Sequence, residues 1–389
     1  MKPIWALIAL AIGAFAIGTT EFTPMGLLPV IATGIDVSIP TAGMLITAYA
    51  LGVMIGAPIM TLALSRFPTK KALMLLMGIF VVGNLLSVIA PGYWTLLISR
   101  LITSLNHGAF FGLGSVLAAS LVAKDKQASA VATMFLGLTI ANIGGVPAAT
   151  WIGQQIGWRM AFAITAVLGV VAIIALAITL PKGKAGQMPN VRAELKVLTR
   201  PAVLMALATT VMGAGAMFTL YTYVAPVLAT LTGASSAFIT LGLVLIGVGF
   251  TLGNAVGGRM ADWSLEGSTK IFLALLAAVM LILPLALTHH VGAAIGLLVW
   301  GIVTFAIVPP VQIRVMQAAH DAPGLAASVN VGAFNLGNAL GAAVGGAVIS
   351  AGLGYAAVPV AGAALAAAGL LLVLANRSGK QPVVQIETV

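Results

Sequence analysis

PKGKAGQMPNVRAELKVLTRP, residues 181–201, is the longest polar stretch within this chain. Its lysines, glycines and prolines read as a linker, with a short amphipathic helix expected at 191–199. Six apolar stretches precede it, at about 4–31, 41–64, 72–91, 94–118, 128–153 and 160–180. Six follow, at about 202–230, 236–258, 271–288, 291–313, 324–350 and 355–375. Each is long enough to cross a hydrocarbon core as a helix, whereas barrel strands would be about 10 residues of alternating polarity. The expected architecture is therefore an all-α integral membrane protein with twelve transmembrane helices, divided six and six. The boundaries follow as 1–181 for an N-terminal bundle, 182–200 for the linker, 201–376 for a C-terminal bundle and 377–389 for a tail.

Composition supports that class. The chain is 61% hydrophobic and only 7% charged over 389 residues, so almost nothing remains for a soluble domain. The opening MKPIW and its apolar continuation read as the first span and not as a cleaved leader, because removing it would unbalance the halves. Cysteine is absent, which excludes disulfides, thiolate chemistry and cysteine-ligated metals. The net charge of +10 is distributed by side. Arg66, Lys70, Lys71, Lys124, Lys126, Lys182, Lys184, Arg192, Lys196, Arg200, Arg259, Lys270, Arg314, Arg377 and Lys380 fall in alternate loops and the tail. The intervening loops hold essentially Arg159 alone. This is the positive-inside pattern, which places both termini in the cytoplasm and argues against nucleic acid as a partner.

The halves repeat. Gly52 and Gly56 recur as Gly249 and Gly253 at an offset of 197, and Asn142 and Gly145 as Asn338 and Gly341 at an offset of 196. Such internal symmetry marks duplicated membrane bundles that flank a midplane cavity, with glycines letting helices approach closely.

Four segments carry a family resemblance: TTEFTPMGLLP at 19–29, RLITSLNHGAFFG at 100–112, GGVP at 144–147 with GWR at 157–159, and NVGAFNLGNALG at 330–341. On these the chain resembles the major facilitator superfamily, in its twelve-span drug/proton antiporter type, closest to the bacterial branch of arabinose efflux-like permeases and purine ribonucleoside exporters. The resemblance covers residues 4 to 376 and implies two pseudo-symmetric six-helix bundles. The family's loop signature between spans two and three has a glycine, an aspartate four residues on, and then basic residues. Here TLALSRFPTKK has Thr61 and Ser65 at the glycine and aspartate positions but keeps Arg66, Lys70 and Lys71. The second-half counterpart GRMADW keeps Gly258 and Asp262. These five conforming residues are the candidates for conformational gating. The fifth-span motif departs too, since Val146 separates Gly145 from Pro147.

Charges inside spans are costly, and they point to function. Glu21 lies in FAIGTTEFTPMG, residues 15–26, and Arg100 opens the fourth span at a similar depth, so an ion pair between them is one expectation. A proton or a substrate could take Arg100's place beside Glu21. His107 follows Arg100 by seven residues on the same helical face, and Phe111 by four more. Glu21, Arg100 and His107 are the candidates for proton coupling; at Glu21 and Arg100 the resemblance also implies coupling or binding. Phe22, Phe111, Asn142, Tyr221, Asn330, Phe334 and Asn338 are candidates for substrate contact; Asn330, Phe334 and Asn338 share one face at intervals of four. Asn84 and Asn335 are further polar groups within spans, and each asparagine also has a plain reading as an interhelical hydrogen bond. Tyr223 and Pro226 suit a gate or simply a local break.

No nucleotide-binding GxxxxGK[ST] motif occurs, and the isolated Glu21 and His107 do not form an enzyme's nucleophile and base. No metal site is expected either, since His289 and His290 are merely neighbours in a loop. The expectation is a proton-coupled secondary exporter of a small neutral or weakly charged molecule, such as a sugar, nucleoside or amphipathic drug. It would work by alternating access in the bacterial inner membrane, without a cofactor, as a monomer among lipids. A proton-independent facilitator or uniporter is the alternative, with a membrane sensor or scaffold behind it.

Overall fold

The computed structural model describes residues 3–37, 39–181 and 191–375, without side-chain detail at a few of them. Most of the linker's first half and the tail, with Lys182, Lys184, Arg377 and Lys380, lie outside the described residues.

Every described element is helical. In the first half they are α1 (Pro3–Gly34), α2 (Ile39–Leu64), α3 (Thr69–Val88), α4 (Tyr93–Ser120), α5 (Gln127–Ile140), α6 (Val146–Gln155) and α7 (Trp158–Thr179). The linker contributes α8 (Val191–Leu198). The second half has α9 (Pro201–Tyr221), α10 (Val224–Leu231), α11 (Ser236–Trp263), α12 (Leu265–Ala286), α13 (His290–Ala306), α14 (Val308–Ala318), α15 (Pro323–Ser350) and α16 (Ala357–Ala375). Among the described residues twelve helical spans are long and apolar enough to cross a membrane. Many large apolar side chains face outward, Trp94, Val291 and Leu285 among them, which suits hydrocarbon and would be a liability in water.

Three spans are interrupted, each next to a proline. A proline lacks the N–H of its turn, and its ring presses on the carbonyl four residues earlier. Pro147 follows a π-helical turn at Ala141–Gly145 that joins α5 to α6. Pro226 sits after the break at Thr222 and Tyr223, between α9 and α10. Pro309 and Pro310 follow the break at Ile307, between α13 and α14. α1 stays helical through Pro24.

The chain forms two compact units. The first comprises Met1–Lys124, Thr133–Leu195 and Ala322–Gly332; the second comprises Asp125–Ala132, Lys196–Asp321 and Ala333–Val389. The first turn of α5 thus belongs to the second unit, and the first turns of α15 to the first. In the first unit α1 packs on α7, α2 on α4, and α3 on both α4 and α7. In the second unit α9 packs on α16, α11 on α13, and α12 on α16. Position for position this is one pairing scheme used twice, as the repeated glycines anticipate. Glycine is required where backbones meet: a Cβ at Gly253 of α11 would stand 2.7 Å from the carbonyl carbon of Ile302 on α13.

Candidate functional site

The first unit contains a buried polar cluster built from five helices. α4 is mostly apolar, yet its inward face carries Arg100, which is 1% exposed, and His107 two turns later, at 3%. Glu21 of α1 approaches the histidine, with Oε2 4.0 Å from His107 Nε2. On the other side of the ring, His107 Nδ1 shares a hydrogen bond of 3.1 Å with Tyr49 Oη of α2. The imidazole therefore stands between a carboxylate and a phenol, and Phe111 packs on it with ring centroids 5.1 Å apart. Phe111 in turn lies against Phe135, at 4.9 Å.

Arg100 reaches Thr20 instead of Glu21. Its Nη2 donates to the Thr20 carbonyl at 3.1 Å and its Nη1 to Thr20 Oγ1 at 3.4 Å. Thr20 Oγ1 donates at 2.6 Å to Asn84 Oδ1 of α3, which also accepts from Thr165 Oγ1 of α7 at 3.0 Å. Asn84 Nδ2 donates to the Phe80 carbonyl at 2.9 Å, so the amide is held from both ends. The guanidinium carbon lies 4.3 Å from the Tyr49 ring centroid and 5.7 Å from that of Phe162. Among the described residues Arg100 Nε has no hydrogen-bond partner. An acid, an imidazole, a phenol and a guanidinium thus share one low-dielectric site, where a change of charge on any of them is felt by the rest.

The other candidates fall in several places. Asn142 lies on the π-helical turn, buried, with Nδ2 donating to the Leu138 carbonyl at 3.0 Å. Phe22 is buried on α1, and Asn330 is buried on the part of α15 that joins the first unit. In the second unit Tyr221 and Phe334 both contact Phe218, with centroids 6.1 and 5.7 Å apart, while Asn338 lies one turn beyond Phe334 and is half-buried.

The loop residues separate by role. Arg66 and Lys71 are exposed. Lys70 Nζ donates to the Ala177 and Leu180 carbonyls at 2.5 and 2.9 Å, closing the end of α7. Asp262 accepts from the Ala128 and Ser129 amides at 2.8 and 3.1 Å and from Ser129 Oγ, so it caps the start of α5. Gly258, one turn earlier, leaves room for that approach: a Cβ there would be 2.7 Å from the Ala132 Cβ. In the first half Ser65 stands at the position of Asp262 and donates to the Leu62 carbonyl at 2.6 Å, while Thr61, at the position of Gly258, donates through Oγ1 to Ser328 Oγ of α15 at 2.6 Å. Among the described residues no group of histidine and carboxylate side chains could hold a metal ion.

Tyr49 and Thr20 were not singled out from the sequence. A tyrosine within the apolar run ITAYALGVMIG was the available signal for Tyr49; a threonine in a membrane helix carries none, because its hydroxyl is usually satisfied by its own backbone.

The comparisons agree with this architecture. Residues 10–330 match the model of the Major Facilitator Superfamily. The chain is 65% identical over 382 residues to the inner membrane transport protein YdhP of Escherichia coli (strain K12), covering 98% of each. It is 38% identical over 348 residues to the uncharacterized MFS-type transporter YtbD of Bacillus subtilis (strain 168), covering 88% of each. Its fold matches the proton:xylose symporter XylE with a TM-score of 0.78 over 96% of each chain, at 13% identity. With twelve spans, a duplicated helix-pairing scheme and a family match over most of its length, the chain belongs to the major facilitator superfamily and is a multi-pass membrane transporter, not an enzyme.

Proposed function

We propose that the chain is a proton-coupled exporter of the drug/proton antiporter type, and that Glu21 carries the proton. One observation carries this reading: a membrane-buried carboxylate lies 4.0 Å from an imidazole that is itself bonded to a phenol. That separation is too long for a hydrogen bond and short enough for a side-chain rotation to make one. Glu21 takes a proton when the site faces outward. The proton leaves when the site faces the cytoplasm, as substrate binds and is carried out. The membrane potential supplies about 2.3 kcal/mol per 100 mV for each proton moving inward. Arg100, held on Thr20, offers the positive charge that makes the deprotonated state tolerable.

The positive-inside charge pattern supports cytoplasmic termini, and the YdhP relative supports the inner membrane as the location. The substrate is a small neutral or weakly charged molecule of the sugar, nucleoside or amphipathic-drug kind. A single acid beside a buried arginine is poorly suited to strong cations. The 1–181 and 201–376 halves are the moving bodies, and the transporter works as a monomer among lipids.

The test is uptake of arabinose, inosine and chloramphenicol, an uncharged amphipathic drug, into inverted membrane vesicles with an imposed pH gradient. The wild-type chain should accumulate at least one of them and dissipate the gradient in proportion. Glu21→Gln should abolish gradient-driven accumulation at least tenfold while leaving downhill exchange of the same compound. Accumulation unchanged in Glu21→Gln would remove Glu21 as the carrier. Transport indifferent to the gradient in both proteins would favour a uniporter.

A further inference from the structure

We infer that the second unit holds its own binding pocket for a flat, uncharged ring that carries a hydrogen-bond acceptor. Trp300 and Thr304 donate to that acceptor, and Phe218, Tyr221 and Phe334 line the way to it. The inference rests on the transport reading, since it supplies that transporter with a substrate class.

Trp300 and Thr304 lie one turn apart on the same face of α13. Trp300 is fully buried and Thr304 is 3% exposed. Among the described residues neither Trp300 Nε1 nor Thr304 Oγ1 has a hydrogen-bond partner. A threonine in a membrane helix ordinarily returns its hydroxyl to its own backbone, as Thr209, Thr219 and Thr222 do on the neighbouring span. Thr304 does not. An indole N–H can only donate, so burying it unpaired is unfavourable in every state of the protein except one in which an acceptor arrives.

Thr304 borders a cavity that it shares with Thr210, Gly213, Met217 and Phe334, among others. At about 10 Å³ it has room for roughly one water. From its wall a chain of aromatic rings runs to the indole. Phe334 meets Phe218 at 5.7 Å, Phe218 meets Tyr221 at 6.1 Å, and Tyr221 meets Trp300 at 6.4 Å with the planes 33° apart. Phe250 packs on both Tyr221 and Trp300, at 5.6 and 6.1 Å. Among the described residues no charged side chain borders the cavity. Aromatic faces alone would also receive a cation. The unpaired indole donor decides against one, because a cation offers it no lone pair.

The cavity is small here, and two of the helices around it are discontinuous. α9 breaks immediately after Tyr221, and α13 breaks three residues after Thr304. Discontinuous spans of this kind border midplane sites in secondary transporters. The chain's repeat points to the same place, since Thr304 follows His107 by 197 residues, the offset that relates Gly52 to Gly249. One copy of the repeat carries the charges, and the other offers rings and neutral donors at the corresponding helix position.

The test uses purified full-length protein and equilibrium dialysis against caffeine and coumarin, which are flat, uncharged and rich in acceptors, and against N-methylquinolinium, a flat cation. At least one neutral probe should bind saturably, and more tightly than the cation. Trp300→Phe keeps a ring but removes the donor, and Thr304→Val keeps the shape but removes the hydroxyl. Each should weaken that binding about tenfold. Melting temperatures verify the fold, and Thr304→Val alone suffices if the indole cannot be replaced. No saturable binding of either neutral probe, equal binding in wild type and folded variants, or preference for the cation would overturn the pocket. Neutral-probe binding that depends on Trp300 or Thr304, alongside vesicles without gradient-driven transport, would keep the pocket and remove the coupling. Gradient-driven accumulation that depends on Glu21, alongside probe binding that neither Trp300→Phe nor Thr304→Val alters, would keep the coupling and remove the pocket.

Discussion

At the scale of single residues, Tyr49 is the most informative position in the first unit. It does two separable things: its hydroxyl bonds to His107 Nδ1, and its ring lies under the Arg100 guanidinium. Tyr49→Phe removes the first and keeps the second. Because a buried hydrogen bond is lost without a change of shape, the variant should fold with a stability loss of about 1 kcal/mol, measured by thermal melting. Its gradient-driven transport should fall at least tenfold, since the imidazole loses the partner that orients it beside Glu21. Tyr49→Leu also removes the ring from Arg100 and should melt lower still. Equal transport in Tyr49→Phe and wild type would show that the phenol merely fills space. Asn84 stands behind the same cluster: its one carbonyl oxygen accepts both the Thr20 and the Thr165 hydroxyls, so α1, α3 and α7 meet on a single atom.

At the scale of helices, close packing depends on small residues, because apolar side chains gain nothing by leaving lipid for one another. α11 and α13 show this most clearly, with Gly249, Gly253 and Gly257 each set against backbone of the partner helix. Gly253→Leu would drive a side chain into the Ile302 carbonyl. The loss should be about 1–3 kcal/mol or more, read as a lower melting temperature of the purified protein. Gly144→Ala, where a Cβ would meet nothing within 4 Å, is the matched control and should melt as wild type. The proline-linked breaks belong to this scale as well. The residues around them were legible in the sequence as GGVP, TYVAP and IVPP, whereas the π-helical turn at one and the plain breaks at the others appear only in the structure.

For the whole molecule, the exchange of segments between the units matters most. The start of α15, carrying Ser328, belongs to the first unit and bonds to Thr61 of α2. The start of α5, carrying Ser129, belongs to the second unit and bonds to Asp262 of α11. If the proposed 1–181 and 201–376 halves are the moving bodies, alternating access would require these contacts to form and break in each cycle. The chain has no cysteine, so a pair introduced as Thr61→Cys with Ser328→Cys reports without background. Oxidation of that pair in vesicles should stop transport, and reduction should restore it. Each single variant should transport normally under both conditions. Undiminished transport with the disulfide formed would mean that this contact persists through the cycle.

What the sequence by itself determined is whatever follows from local chemistry. Hydropathy along the chain sets twelve spans and a polar linker, because a backbone in hydrocarbon must satisfy its own hydrogen bonds. The same reading finds Glu21, Arg100 and His107 as charged or titratable groups inside apolar spans. Partnership was decided only by the tertiary structure. Glu21 meets His107 and not Arg100, Arg100 rests on Thr20, and Thr20 rests on Asn84. In the second unit, nothing in the strings FTLYTY and LVWGIVTF indicates that Tyr221 and Trp300 would meet, or that Trp300 and Thr304 would be left without partners. Helical periodicity orients a side chain around its own axis. The rotation and depth of the helix facing it come from close packing across segments tens of residues apart in the chain, and those set which polar groups meet and which remain open for a ligand.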